Sequence, residues 1–259
     1  MGEVVVVVLD GAEDAGGLLD AGARRLRIGG GGRRVALAVR VPPLATIMPS
    51  EEVLTARREA ELRAGQAQWA GRLKAIVDAR MGVEWVDVEG DAAEIVAEHG
   101  GRADAIVLAR PADHTSERQR EYMHAALFDT ECPVLVVPTG FARPFGRVVA
   151  IAWKEDGGAL NAVRASLPIL RAAEAVHVLC ADASPVLPAV LAEHDIAAEL
   201  HAADGEGSTA ARLLRTAHRV GADLLVMGAF THGEWRERLF GGVTAAMLAG
   251  ADLPLLMRH

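Results

Sequence analysis

Ala103-Asp104-Ala105-Ile106-Val107-Leu108-Ala109 returns 119 residues later as Ala222-Asp223-Leu224-Leu225-Val226-Met227-Gly228. Each copy is followed by a Pro-led apolar run, Cys132-Pro133-Val134-Leu135-Val136-Val137 and Leu253-Pro254-Leu255-Leu256-Met257, at an offset of 121. A third pair opens the halves at an offset of 144: Val4-Val5-Val6-Val7-Val8-Leu9-Asp10 and Val148-Val149-Ala150-Ile151-Ala152-Trp153-Lys154. Matched segments in the same order identify a duplicated domain. The fall in offset from 144 to 119 puts 25 extra residues into the first copy.

Short runs of Val, Ile and Leu alternate with longer amphipathic stretches, the pattern of βαβ units around a parallel sheet. The runs predict strands at 4–9, 35–41, 83–88, 104–109 and 134–138, then at 148–153, 176–181, 197–202, 223–228 and 254–257. Near-continuous hydrophobicity, as in Val4–Leu9 and Leu224–Met227, means burial on both faces. Helices are expected at 14–27, 51–80, 91–100 and 117–129, then at 158–172, 186–194, 207–220 and 239–249. The boundary falls in Pro138–Pro144, dividing the chain into a first domain, 1–140, and a second, 145–259. Each copy, at roughly 115–140 residues, can hold its own core. The extra residues lie at 42–80, where Pro42-Pro43 precedes a long charged helix.

A chain 51% hydrophobic but only 4% aromatic builds its core from Ala, Val and Leu. A net charge of −8 argues against nucleic-acid binding, which needs a concentrated basic face. Arg24-Arg25-Leu26-Arg27 reads as a solvated helix face. Cys132 and Cys180 sit in or beside apolar runs without metal-ligand spacing, so they read as buried thiols in a reducing compartment. The Val4–Leu9 run is too short to span a membrane and lacks a signal peptide's flanks; a cytoplasmic location is expected, with no membrane partner. Gly29-Gly30-Gly31-Gly32 lies between a helix and a strand, where glycines end helices, and no helix N-terminus follows it to hold a phosphate.

The segment with chemical potential is Gly228-Ala229-Phe230-Thr231-His232-Gly233 through Leu239-Phe240-Gly241-Gly242-Val243-Thr244. A glycine ends a strand, a polar loop follows, and a glycine pair precedes the final helix. Ligands of parallel α/β sheets bind at the carboxyl ends of strands, where glycines let backbone N–H groups approach phosphate. A glycine-rich turn that merely packs the last helix has the same spacing.

This arrangement resembles the universal stress protein family, whose loop runs Gly, two residues, Gly, nine residues, then Gly and Ser or Thr. Gly228 and Gly241 match the first and third glycines; Thr231 stands in place of the second, and Gly242 in place of the Ser or Thr. The resemblance implies two tandem Rossmann-like (flavodoxin-like) α/β domains. Each would be a five-stranded parallel sheet in the order 3-2-1-4-5, the copies meeting at their last strands as an internal pseudo-dimer; a homodimer is a further option. It also implies a stress-response accessory protein that binds ATP or another adenine nucleotide.

Family members that bind nucleotide hold adenosine with an Asp after the first strand. The first copy keeps Asp10 but ends its fourth strand in Ala109-Arg110-Pro111, and Arg120 and Glu121 align with Gly241 and Gly242. The second copy keeps part of the loop but has Lys154 at the Asp position. The candidate nucleotide residues are therefore Trp153, Lys154, Gly228, Thr231, Gly241, Gly242 and Val243, all in the second copy. No nucleophile elbow, Walker lysine or metal-ligand spacing appears, so no catalytic or metal residue is assigned and an enzyme is not expected. The competing expectation is a partner-binding scaffold that docks through the 50–80 helix.

Overall fold

The computed structural model describes residues 2–42, 56–111, 117–181, 186–229 and 242–259. The first half runs β1 (Glu3–Leu9), α1 (Ala12–Ile28), β2 (Gly32–Arg40), α2 (Ala56–Asp78), β3 (Val83–Glu89), α3 (Ala92–Gly100), β4 (Ala105–Ala109), α4 (Glu117–Phe128) and β5 (Val134–Val137). The second runs β6 (Val148–Trp153), α5 (Gly157–Ala172), β7 (Ala175–Cys180), α6 (Ala189–Glu193), β8 (Glu199–Ala202), α7 (Thr209–Arg219), β9 (Leu224–Gly228), α8 (Gly242–Gly250) and β10 (Leu255–Arg258). Segments 43–55 and 230–241, which carry part of the insertion and most of the glycine loop, lie outside the described residues.

The ten strands form one sheet in the order β3-β2-β1-β4-β5-β10-β9-β6-β7-β8. Each half thus has five parallel strands in the order 3-2-1-4-5, and the halves join through the antiparallel pair β5–β10. The β-branched run of β1 is buried on both faces, as a central strand between two helix layers requires. One layer contains α1, α2, α5 and α6 and packs on the Val5, Val7, Val149 and Ile151 face. The other contains α3, α4, α7 and α8 and packs on the Val6, Val8, Ala150 and Leu225 face. Both cores continue across the seam, so the halves share their hydrophobic interior.

Strand pairing fixes which residues are equivalent. Val5 lies beside Ala105 and Arg34; Val149 lies beside Leu224 and Val176. The offset is therefore 144 on β1/β6, 119 on β4/β9 and 142 on β2/β7. Val35 pairs with Glu84, and its counterpart His177 pairs with Glu199, an offset of 115 on β3/β8. The first half is thus 27 residues longer between β2 and β3, where the 23-residue α2 stands against the five-residue α6 of the second half. Leu73 and Val77 of α2 are buried under that layer, while its outer side carries ion pairs such as Arg63–Glu59 and Lys74–Asp78.

The glycine run ends α1, as its position predicts. Gly29 N–H donates to the Arg25 carbonyl at 3.1 Å and Gly31 N–H to that of Leu26 at 2.8 Å, while Gly30 and Gly31 have φ of +93° and +101°. Arg25 departs from the reading of its cluster as a solvated face, while Arg27 is exposed. Arg25 is 3% exposed, and its Nη1 donates to Glu3 Oε2 at 2.7 Å. Residue 25 falls on the buried stripe of α1 with Leu18, Ala21, Gly22 and Leu26, and its long aliphatic stem permits this. Both cysteines are buried, as their apolar settings predict. Among the described residues, no helix is long and apolar enough to cross a membrane.

Candidate functional site

In each half the first strand has neighbours reached by connections running in opposite directions. β1 lies between β2 and β4, and β6 between β7 and β9. The carboxyl ends of these central pairs are the switch points where α/β sheets bind ligands. Because β5 and β10 are antiparallel, the two switch points lie at opposite ends of the sheet.

In the second half, Ala152 pairs with Met227, so Trp153 and Gly228 follow at the ends of adjacent strands. Trp153 is half-buried and packs against the α5/α6 layer. Lys154 is exposed, with Nζ 3.7 Å from Asp156 Oδ2. Asp156 is the N-cap of α5; its Oδ1 accepts from Ala159 N–H at 2.9 Å. Gly228 has a specific packing role. A Cβ there would stand 2.6 Å from Ala159 N and 2.7 Å from the Gly158 carbonyl carbon, so only glycine lets the first turn of α5 lie on the end of β9. Gly242 opens α8 with φ of +79°, a left-handed conformation that disfavours side chains, although a Cβ there would meet no atom within 4 Å. Val243 is 38% exposed. Thr231 and Gly241 lie outside the described residues.

The first crevice is occupied by the protein's own side chains. Asp10 forms an ion pair with Arg118 of α4. Trp69 of α2 donates its indole N–H to the Asp10 carbonyl at 2.8 Å, and the Arg118 guanidinium lies over the Trp69 ring at 5.3 Å. Tyr122 is buried beneath them, and burial pushes its hydroxyl pKa up. The repeat offset aligns Arg120 and Glu121 with the loop glycines; the residue that reaches Asp10 is Arg118, two positions earlier. Trp69 comes from the insertion, which has no counterpart to align with, so no repeat comparison could have found it.

A cleft of about 600 Å³ opens elsewhere, among Arg110, Thr139, Phe141, Arg143, Ala251 and Asp252. It lies where the carboxyl ends of β4 and β5 meet the lead into β10, the sheet end opposite to Gly228. Arg110 Nη1 donates there to the Ala251 carbonyl at 2.6 Å, placing a cation at the carboxyl end of α8.

The family model described as the universal stress protein family matches residues 153–259. Among solved structures, a universal stress protein from Archaeoglobus fulgidus DSM 4304 superposes with a TM-score of 0.69 at 12% identity, over 99% of this chain and 96% of that one. A functionally unknown protein from Pseudomonas aeruginosa PAO1 gives 0.59 at 16% identity, over 99% and 92% of the two chains. A protein from Pseudomonas aeruginosa UCBPP-PA14 gives 0.58 at 17%, over 98% and 92%. These likenesses are of fold. No curated protein matches the chain in sequence.

Proposed function

We propose that this chain, whose residues 153–259 match the universal stress protein family model, is a stress-response accessory protein that binds one adenine nucleotide, at the β6/β9 switch point. The contrast between the crevices carries this reading. In the first, Arg118 neutralises Asp10 and Trp69 covers it, leaving neither a carboxylate for a ribose nor a glycine loop for phosphate. In the second, the loop glycines Gly228, Gly241 and Gly242 remain, and exposed Lys154 offers phosphate a point charge. With no acid or base assigned beside the loop, the role is binding rather than turnover.

A scaffold reading has one specific observation in its favour. Gly228 is required by the packing of α5, so its retention does not by itself mark a phosphate site. Native mass spectrometry of protein purified without added nucleotide, followed by calorimetric titration with ATP, separates the two. One adenylate per chain supports the nucleotide reading, and no binding at millimolar ATP leaves the scaffold.

A further inference from the structure

We propose that His177, Glu199 and His201 form a site for one divalent transition-metal ion of the zinc class, on the outer strands of the second half. His177 Nδ1 lies 3.0 Å from His201 Nε2, and both face Glu199 Oε2, at 3.5 and 3.7 Å. Zinc bonded to nitrogen and oxygen at about 2.0–2.1 Å in a tetrahedron sets its ligand atoms roughly 3.3–3.4 Å apart. The observed triangle straddles that spacing, so an ion can enter with small side-chain rotations. A fourth position would stay open to water, because Glu199 stands 74% exposed at the sheet edge.

Strand register builds the cluster. His177 of β7 pairs directly with Glu199 of β8, and His201 follows two residues on, so all three side chains leave the same face. That explains why the sequence hides it: His177 and the Glu199-x-His201 pair are 22 residues apart, without the short spacing of a helical or knuckle metal motif.

The duplication supplies an internal control. The residues of the first half equivalent to His177 and His201 are Val35 and Val86, which pack against the core on that face. The fold accepts valine at both places, so the imidazoles are not demanded by packing. Glu199 has a counterpart in Glu84, whose carboxylate is paired with Arg33 at 2.5 Å. Arg33 aligns with Ala175, so the second half has exchanged a cation partner for two imidazoles. The donor set also selects the ion. Two imidazole nitrogens and one carboxylate suit zinc, copper or nickel, whereas calcium and magnesium call for oxygen ligands. Burial of His177 first, and then His201, lower its pKa against the opposing pull of Glu199, favouring the neutral ring that a metal requires. The competing account is a hydrogen bond between two neutral rings.

The site does not depend on the nucleotide reading and uses none of its residues. Its test takes the full chain, freed of metal by chelator and dialysis, and titrates it with zinc while following heat and thermal unfolding. The expected result is one ion per chain and a zinc-dependent rise in Tm, because the ion ties the four-residue edge strand β8 to β7. His177→Val and His201→Val, which copy the first half and should fold, are each expected to weaken binding by more than the roughly 10–100-fold typical of an outer-shell partner. Absence of both heat and a Tm rise at about 0.1 mM zinc overturns the proposal, as does undiminished one-ion binding in the double valine variant.

Discussion

Leu135 of β5 and Leu256 of β10 occupy equivalent positions 121 residues apart, and they face each other directly across the antiparallel seam. The local two-fold axis relating the halves therefore passes between them. Both are buried, at 0% and 1% exposure. An isolated first half would expose the β5 edge and an apolar strip, a template for pairing with another chain. A 1–140 fragment should accordingly associate in pairs, with Leu135 opposite its own copy. Light scattering coupled to size exclusion would show a two-fold mass; a stable monomer at tens of micromolar, about the usual working range, would refute the seam's self-complementarity.

Arg25 and Glu3 give a second expectation. Removing Glu3 leaves a guanidinium 3% exposed without its carboxylate partner, and its Nε already lacks a hydrogen-bond acceptor. Glu3 is partly open to water, which discounts the effect. Glu3→Gln should cost about 1–3 kcal/mol in denaturant unfolding. A change below about 0.5 kcal/mol, the scale of an ordinary surface substitution, would mean that Arg25 finds another partner.

The eight inner strands were legible as short apolar runs, because a strand buried on both faces needs near-continuous hydrophobicity, whereas the polar-interrupted edge strands β3 and β8 were legible from their place in the βαβ alternation. The candidate site was less so. The repeat offsets locate Lys154 opposite Asp10, and strand pairing gives the same equivalence. Offsets cannot reveal that Arg118 reaches across to Asp10 or that Trp69 arrives from the insertion, since these contacts depend on how helices sit over the crevice. Gly228 shows the reverse difficulty: a residue matching a binding pattern is also fixed by α5 packing. Arg25 was misread because composition sees a charge, whereas its place on the helix decides burial.

His177 also predicts how stability depends on pH. Its folded pKa lies below the ordinary value of 6.5, so the unfolded chain binds protons more readily. The contribution is absent above about pH 7.5 and becomes destabilising as pH falls through 6.5. Metal-free protein should thus lose stability as pH falls below about 7.5, and His177→Val should flatten that slope. Equal slopes in urea titrations of the two proteins would assign the acid sensitivity to other groups.

In the first half, Arg118→Ala should free Asp10 without creating a second nucleotide site. Ala109-Arg110-Pro111 ends β4 with no glycine loop, and Arg110 is already committed to the carbonyls at the end of α8. Calorimetry should give the same ATP stoichiometry for the variant and the parent. A second bound equivalent would mean that Arg118 alone closes the crevice.

Gly242 sets a limit on how far the second site can be restored. The family pattern places Ser or Thr there, but the backbone stands at φ +79°. Any residue with a Cβ pays roughly 1–2 kcal/mol for that conformation, and no neighbouring atom adds to it. A hydroxyl donating to phosphate would return about 1.5–3 kcal/mol, but only in the bound state. Gly242→Ala and Gly242→Ser should therefore destabilise the free protein equally in denaturant unfolding. Only the Ser variant should exceed its partner in ATP affinity, by about tenfold or more, since 1.4 kcal/mol is a factor of ten. Comparing the two variants cancels the backbone strain and isolates the hydroxyl. Equal ATP affinities would place the phosphates away from the start of α8, and unchanged stability in both would mean that the helix start shifts freely to relieve the strain.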